Sequence, residues 1–144
     1  MTDYESLIPA VKAVTAQCPH FIANLANTSA LIWEYMDDLN WAGFYLMQDG
    51  KLVLGPFQGP VACFRIARGR GVCGTAFEKK RTIVVPDVEE FPGHIACSSL
   101  SRSEIVVPVV RDGAVRAVLD IDSTTVGFFD ETDAVWLEMV AEIV

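Results

Sequence analysis

Apolar positions recur at helical spacing near the start of the chain. Leu7, Ile8, Val11 and Val14 form one stripe within a segment from about Asp3 to Gln17. Pro9 falls inside that stripe and is expected to kink the helix or mark its true start, because proline lacks the N–H of the helical ladder. Pro19 ends the segment, and a second helix is expected from about Phe21 to Met36, with Trp33 and Met36 on its apolar face. The period then changes. Asn40 marks the turn into Trp41–Met47, which reads as a strand; Gln48-Asp49-Gly50-Lys51 has hairpin chemistry, and Leu52–Leu54 is the return strand. Val61–Ile66 and Thr82–Val85 are further short strands. Between them lie a glycine-rich turn, Gly69–Gly74, and a short helix over Val72–Lys80. Glu90 to Ser103 is long and irregular. Glu104–Val110 and Val115–Asp122 then form a hairpin around Arg111-Asp112-Gly113. Glu131–Val144 returns to helical spacing at Trp136, Met139, Val140 and Ile143, behind Asp130 as N-cap.

This order predicts an α+β domain spanning residues 1–144. Hairpin links imply an antiparallel sheet, since parallel pairs need long crossovers. The N- and C-terminal helices are expected to pack on one face of that sheet. The other face is left to carry a ligand pocket, closed by the long loop.

Composition narrows the class. At 144 residues and 51% apolar, the chain can build a sizeable core. A formal charge of −8, from 11 basic and 19 acidic residues, makes nucleic acid and anionic membranes poor partners. The opening MTDYESLIPA carries acids where a secretory leader carries bases, and no apolar run approaches a membrane span. A soluble cytoplasmic protein is expected. In that reducing setting, four cysteines point to reactive or metal-binding thiols more than to structural staples.

The candidate chemistry lies in the second half of the chain. Strict alternation over Val115–Asp122 puts Arg116, Val118, Asp120 and Asp122 on one face. Two carboxylates then point the same way, either as a solvated face or as a pair that holds a ligand ammonium or shares a proton. Glu104 opens the neighbouring strand and can join them, with Arg116 as compensating charge. Cys63, Cys73 and Cys97 are spaced ten and twenty-four residues apart without a C-x-x-C pair. Cys73 stands near the start of a predicted helix, where the backbone dipole lowers a thiol pKa, so local physics favours it as nucleophile. Cys97 sits in the loop Phe91-Pro-Gly-His-Ile-Ala-Cys, the kind of segment that carries function over a sheet. Cys18 reads as a bystander. Zinc on Cys63, Cys73, Cys97 and His94 is disfavoured because structural zinc draws on closely spaced ligand pairs, so no metal and no cofactor are expected. Gly69-Arg-Gly-Val-Cys-Gly matches a dinucleotide fingerprint in letters only, since a parallel βαβ unit is missing.

Six longer motifs carry a resemblance. Trp41-Ala-Gly-Phe-Tyr-Leu, Leu54-Gly-Pro-Phe-Gln-Gly, Gly71-Val-Cys-Gly-Thr-Ala, Phe91-Pro-Gly-His-Ile-Ala-Cys, Ser103-Glu-Ile-Val-Val-Pro and Leu119-Asp-Ile-Asp-Ser stand in the order found in the free methionine-(R)-sulfoxide reductases. These are GAF-fold enzymes that act on the free amino acid. The resemblance implies that Cys97 attacks the sulfoxide sulfur and becomes a sulfenic acid. It implies that Cys63 resolves this acid as a disulfide, that Cys73 is auxiliary, and that thioredoxin is the reductant. It further places Glu104, Asp120 and Asp122 in the substrate pocket, with Trp41 and Tyr45 as its apolar wall. A proton from Glu104 or Asp122 would help the sulfoxide oxygen leave, and Asp120 would pair with the substrate ammonium. The competing expectations are a GAF sensor domain that binds a small ligand without catalysis, and a redox switch whose cysteines sense oxidant. A homodimer is left open.

Overall fold

The computed structural model describes residues 1–95 and 100–144. Two helices come first, α1 (Tyr4–Thr15) and α2 (Phe21–Tyr35). Asp3 caps α1 by accepting from the Ser6 N–H at 3.1 Å, and Pro9 lies inside the helix without ending it. The strands are β1 (Leu39–Gln48), β2 (Lys51–Gln58), β3 (Arg65–Ile66), β4 (Ile83–Val85), β5 (Ser103–Arg111) and β6 (Ala114–Ser123). Helix α3 (Gly71–Lys79) lies between β3 and β4, and α4 (Glu131–Ile143) closes the order. The expected strand over Val61–Ile66 is confined to Arg65–Ile66, and the return strand after the first hairpin runs on to Gln58.

All strand pairs are antiparallel, in the order β3-β2-β1-β6-β5-β4. Both Asp-Gly pairs make two-residue turns with positive φ at each position: Asp49 and Gly50 at 53° and 80°, Asp112 and Gly113 at 54° and 77°. That geometry matches the strand twist and sets the registers Gln48↔Lys51 and Arg111↔Ala114.

The sheet has two unlike faces. On one, Phe44, Ile105, Val107, Val109, Ala117, Leu119 and Ile121 pack with Leu7, Val11, Leu25, Ile32, Leu137 and Val140 of α1, α2 and α4. Each fully buried Val, Leu or Ile side chain among them contributes about 1.5–3 kcal/mol. On the other, Trp41, Tyr45, Val106, Val115 and Val118 pack with Val72, Cys73 and Ala76 of α3. The expected division of faces therefore holds. Trp33 and Met139, by contrast, turn outward, 39% and 42% exposed, because the α2 and α4 stripes are completed by Ile32, Leu137 and Ala141.

Asp130 caps α4 by accepting from the Thr132 and Asp133 N–H groups, while Asp133 accepts from the Asp130 N–H. This is a full capping box. The same Asp133 accepts from the Tyr4 hydroxyl, and the Tyr4 ring stacks on Trp136 at 5.6 Å. The first and last helices are thereby joined. No helix among the described residues is long and apolar enough to cross a membrane.

Candidate active site

A pocket with about 540 Å³ of empty space, part of it open to solvent, lies on the α3 face of the sheet. Trp41, Tyr45, Ile66, Arg70, Cys73, His94, Ser101, Glu104, Asp120 and Asp122 are among its lining residues.

The aromatic wall comes from β1. Trp41 and Tyr45 are 3% and 2% exposed, with ring centroids 5.8 Å apart, and Phe57 of β2 stacks on Trp41 at 5.1 Å. Gly43 makes this possible. A side chain there would put its Cβ 2.2 Å from the Phe57 Cβ, so only glycine lets β2 bring Phe57 against the indole. The polar tips of both rings are also engaged. Trp41 Nε1 donates to the Pro60 carbonyl at 3.1 Å, and the Tyr45 hydroxyl donates to the Cys63 carbonyl at 2.8 Å.

The acids come from β5 and β6. Glu104 is paired directly with Asp122, and Asp122 in turn with Trp41 on β1. Like charges directly opposite each other repel, so the arrangement asks for a shared proton. Glu104 is hydrogen-bonded to both Asp120 and Asp122, which two carboxylates cannot do without one. Burial, followed by the charges of Asp120 and Asp122, pushes the Glu104 carboxyl well above its ordinary range. Asp122 is pushed well up too, by burial and then by Asp120, and hydrogen-bonds Ser101. Ser101 Oγ accepts from Asn40 Nδ2 at 2.9 Å. Asp120 is raised by burial, against hydrogen bonds from Glu104 and Cys73 and the charge of His94, which favour its anion. Asp120 is thus the acid whose negative charge is best supported. Asp120 Oδ1 and Asp122 Oδ1 are buried without a hydrogen-bond partner among the described residues.

Two expectations are corrected here. Arg116 does not compensate the acids. Val109 pairs with Ala117 but Val110 with Val115, so Arg116 is the extra residue of a β-bulge. The bulge exchanges the faces of Val115 and Arg116: Val115 joins the pocket-side core, and the Arg116 guanidinium lies 4.3 Å from the Phe21 ring centroid on the helix side. Cys73 sits in the first turn of α3, yet its thiol is pushed well up, by burial first and then by Asp120 and Glu104. Desolvation and two acids outweigh the helix dipole.

Cys63 is disulfide-bonded, whereas Cys18 and Cys73 carry free thiols. Cys97 lies outside the described residues. Cys18 is between α1 and α2, its Sγ near the His20 carbonyl at 3.7 Å, away from the pocket. Of the four zinc ligands considered from sequence, Cys63 has its sulfur in a disulfide. Cys73, Glu104 and Asp120 bring one sulfur and two oxygens within 4.8 Å of one another, a set in which the acids already share hydrogen bonds.

Sequence reasoning missed Ser101 and gave His94 only a metal role. His94 Nε2 lies 3.8 Å from Glu104 Oε1, and burial lowers its pKa, against the pull of Asp120. Its place in Phe91-Pro-Gly-His was the available signal; nothing local distinguishes Ser101 from other loop serines.

Similar proteins carry the same architecture. The GAF domain family model matches residues 23–144. The free methionine-R-sulfoxide reductase of Escherichia coli is 50% identical, over 97% of this chain and 86% of that protein. The free methionine-R-sulfoxide reductase of Neisseria meningitidis, solved in complex with its substrate, superposes with a TM-score of 0.94 at 52% identity, covering 97% of this chain and 84% of that one. The reduced form of the Staphylococcus aureus fRMsr gives 0.97 at 46% identity, with 99% and 93% covered.

Proposed function

The chain belongs to the free methionine-R-sulfoxide reductase family of GAF-domain proteins, and we propose that it reduces free L-methionine-(R)-sulfoxide to L-methionine through cysteine thiols. The observation that carries this reading is the pocket floor: three buried carboxylic acids, hydrogen-bonded to one another and with pKa values pushed up by burial, beneath stacked aromatic rings and beside the segment of an oxidised cysteine.

Each part has a use in the reaction. Asp120 pairs with the substrate ammonium, a demand that a methionine sulfoxide within a polypeptide cannot meet. The Trp41 and Tyr45 rings receive the S-methyl group through apolar and sulfur–aromatic contact. The Cys97 thiolate attacks the sulfoxide sulfur, while Glu104 or Asp122 supplies a proton to the oxygen, a poor leaving group without one. The substrate sulfur gains two electrons and becomes a thioether; the Cys97 sulfur loses two and becomes a sulfenic acid. Cys63 then closes a disulfide with release of water, and the dithiol of thioredoxin reopens it. Cys73, buried with a raised pKa, suits an auxiliary role more than that of attacking thiolate. A cytoplasmic setting, where thioredoxin is kept reduced, suits this cycle.

The test is consumption of the R and S epimers of free methionine sulfoxide with dithiothreitol, alongside a methionine-sulfoxide peptide. Loss of the free R epimer alone is expected. Persistence of all three substrates, with one of them still bound, would replace the reductase reading with that of a ligand sensor.

A further inference from the structure

The two aromatic residues of the pocket wall spend their polar atoms on the segment that carries Cys63. Between the end of β2 at Gln58 and the start of β3 at Arg65 the backbone is neither helix nor strand. Trp41 Nε1 holds it at the Pro60 carbonyl and the Tyr45 hydroxyl at the Cys63 carbonyl, while the Leu54 N–H meets Phe64 at its far end. The outward flank gives little support, since Val61 and Phe64 are 89% and 72% exposed. Gly59, with φ of +126°, brings the chain so close to the indole that a Cβ would lie 3.0 Å from Trp41 Cδ1. An apolar wall needs none of these bonds: phenylalanine at both positions would offer a ligand the same kind of surface.

We infer that Tyr45, assisted by Trp41, is a positioning residue for the resolving cysteine, holding the Cys63 segment where its sulfur can close the disulfide. This inference rests on the reductase reading and adds to it a division of labour within two side chains. Ring faces serve the substrate; hydroxyl and indole N–H serve the second thiol. The step concerned is attack of the Cys63 sulfur on the sulfenic sulfur. An S–S bond forms, the S–O bond breaks, and the hydroxyl leaves as water with the thiol proton. Proximity of the two sulfurs sets its rate, so a segment free to wander closes the bond more slowly. The exposed consequence is a longer-lived sulfenic acid, open to further oxidation.

The decisive experiment is a single turnover without reductant. Fully reduced Tyr45→Phe protein is mixed with one equivalent of free methionine-(R)-sulfoxide and followed for methionine released, thiols lost and sulfenic acid trapped by dimedone. Wild type and Cys63→Ser serve as the two limits. The expected result is disulfide closure slowed roughly three- to tenfold more than methionine release in the same variant, the scale of one lost hydrogen bond. Trapped sulfenic acid then lies between the two limits, and Trp41→Phe added to Tyr45→Phe moves it further toward Cys63→Ser. Disulfide closure at the wild-type rate in Tyr45→Phe overturns the inference. So does a methionine burst slowed as much as closure, which would assign Tyr45 to the substrate step alone. No methionine from the wild type would instead remove the reductase reading, and this inference with it.

Discussion

The two faces of the central sheet are made from the same strands and obey different rules. Toward α1, α2 and α4, Ala117, Leu119 and Ile121 meet other apolar side chains at complete burial. One residue away in each case, Val118, Asp120 and Asp122 point to the other face, where the two acids line the pocket with Glu104 of β5 and the rings of β1. The helix face lowers the free energy of the fold wherever it is filled. The pocket face gathers acids at a cost, since buried carboxyls lose their hydration without a full set of partners, and that cost marks them as candidates for holding a ligand. Stability and chemistry are therefore separable by the parity of a residue along β6.

The strongest way to break this comparison is Glu104→Gln, which removes a proposed proton source while keeping the shape. Turnover is expected to fall by about 10²–10⁴-fold, in line with the loss of a general acid, with the melting temperature unchanged or higher; steady-state kinetics and thermal unfolding together decide it. A variant that loses both activity and stability would place Glu104 among the structural residues. On the opposite face, Leu119→Ala should cost about 2–5 kcal/mol in denaturant unfolding and leave turnover per folded molecule near wild type.

A titration sharpens the contrast. Glu104 and Asp122 have folded pKa values above their ordinary 4.5 and 3.8, so between those values and the raised ones the native state holds more protons than the unfolded chain. Stability is then fully present below about pH 4 and falls as pH rises through the folded pKa values. This contribution should raise the melting temperature as pH falls toward the ordinary carboxylate values, and the slope should flatten in a Glu104→Gln, Asp122→Asn double variant. Smallest of all, Arg116→Ala should cost about 0.5–1 kcal/mol through its contact with Phe21 and leave substrate KM unchanged. A raised KM would return Arg116 to the pocket.

How far the sequence could be read follows the same division. Both Asp-Gly hairpins were legible because their turn chemistry is local. The Asp130 cap was legible for the same reason, and strand period put Asp120 and Asp122 on one face, while the gathering of Glu104 with them in a pocket was implied by the family resemblance. Arg116 was misplaced because a bulge breaks strict alternation without a mark in composition. Val61–Ile66 looked like a strand from its β-branched and aromatic letters, yet tethering by Trp41 and Tyr45 holds most of it outside the ladder. The thiol of Cys73 was misjudged from helix position because burial and neighbouring acids are tertiary properties. For Cys97 local physics gave no preference over Cys73, and its assignment as the attacking thiol is implied by the family resemblance alone.

The clasp between Tyr4 and Asp133, with Tyr4 stacked on Trp136, has a consequence for the timing of synthesis. Its two halves are 129 residues apart in the chain. At roughly 5–20 residues per second, a ribosome needs on the order of ten seconds to supply the second half after the first. Throughout that interval Leu7 and Val11 of the emerging first helix lack the α4 side chains that will cover them. The helix-side core is therefore completed late in translation, once α4 has emerged to cover the first helix.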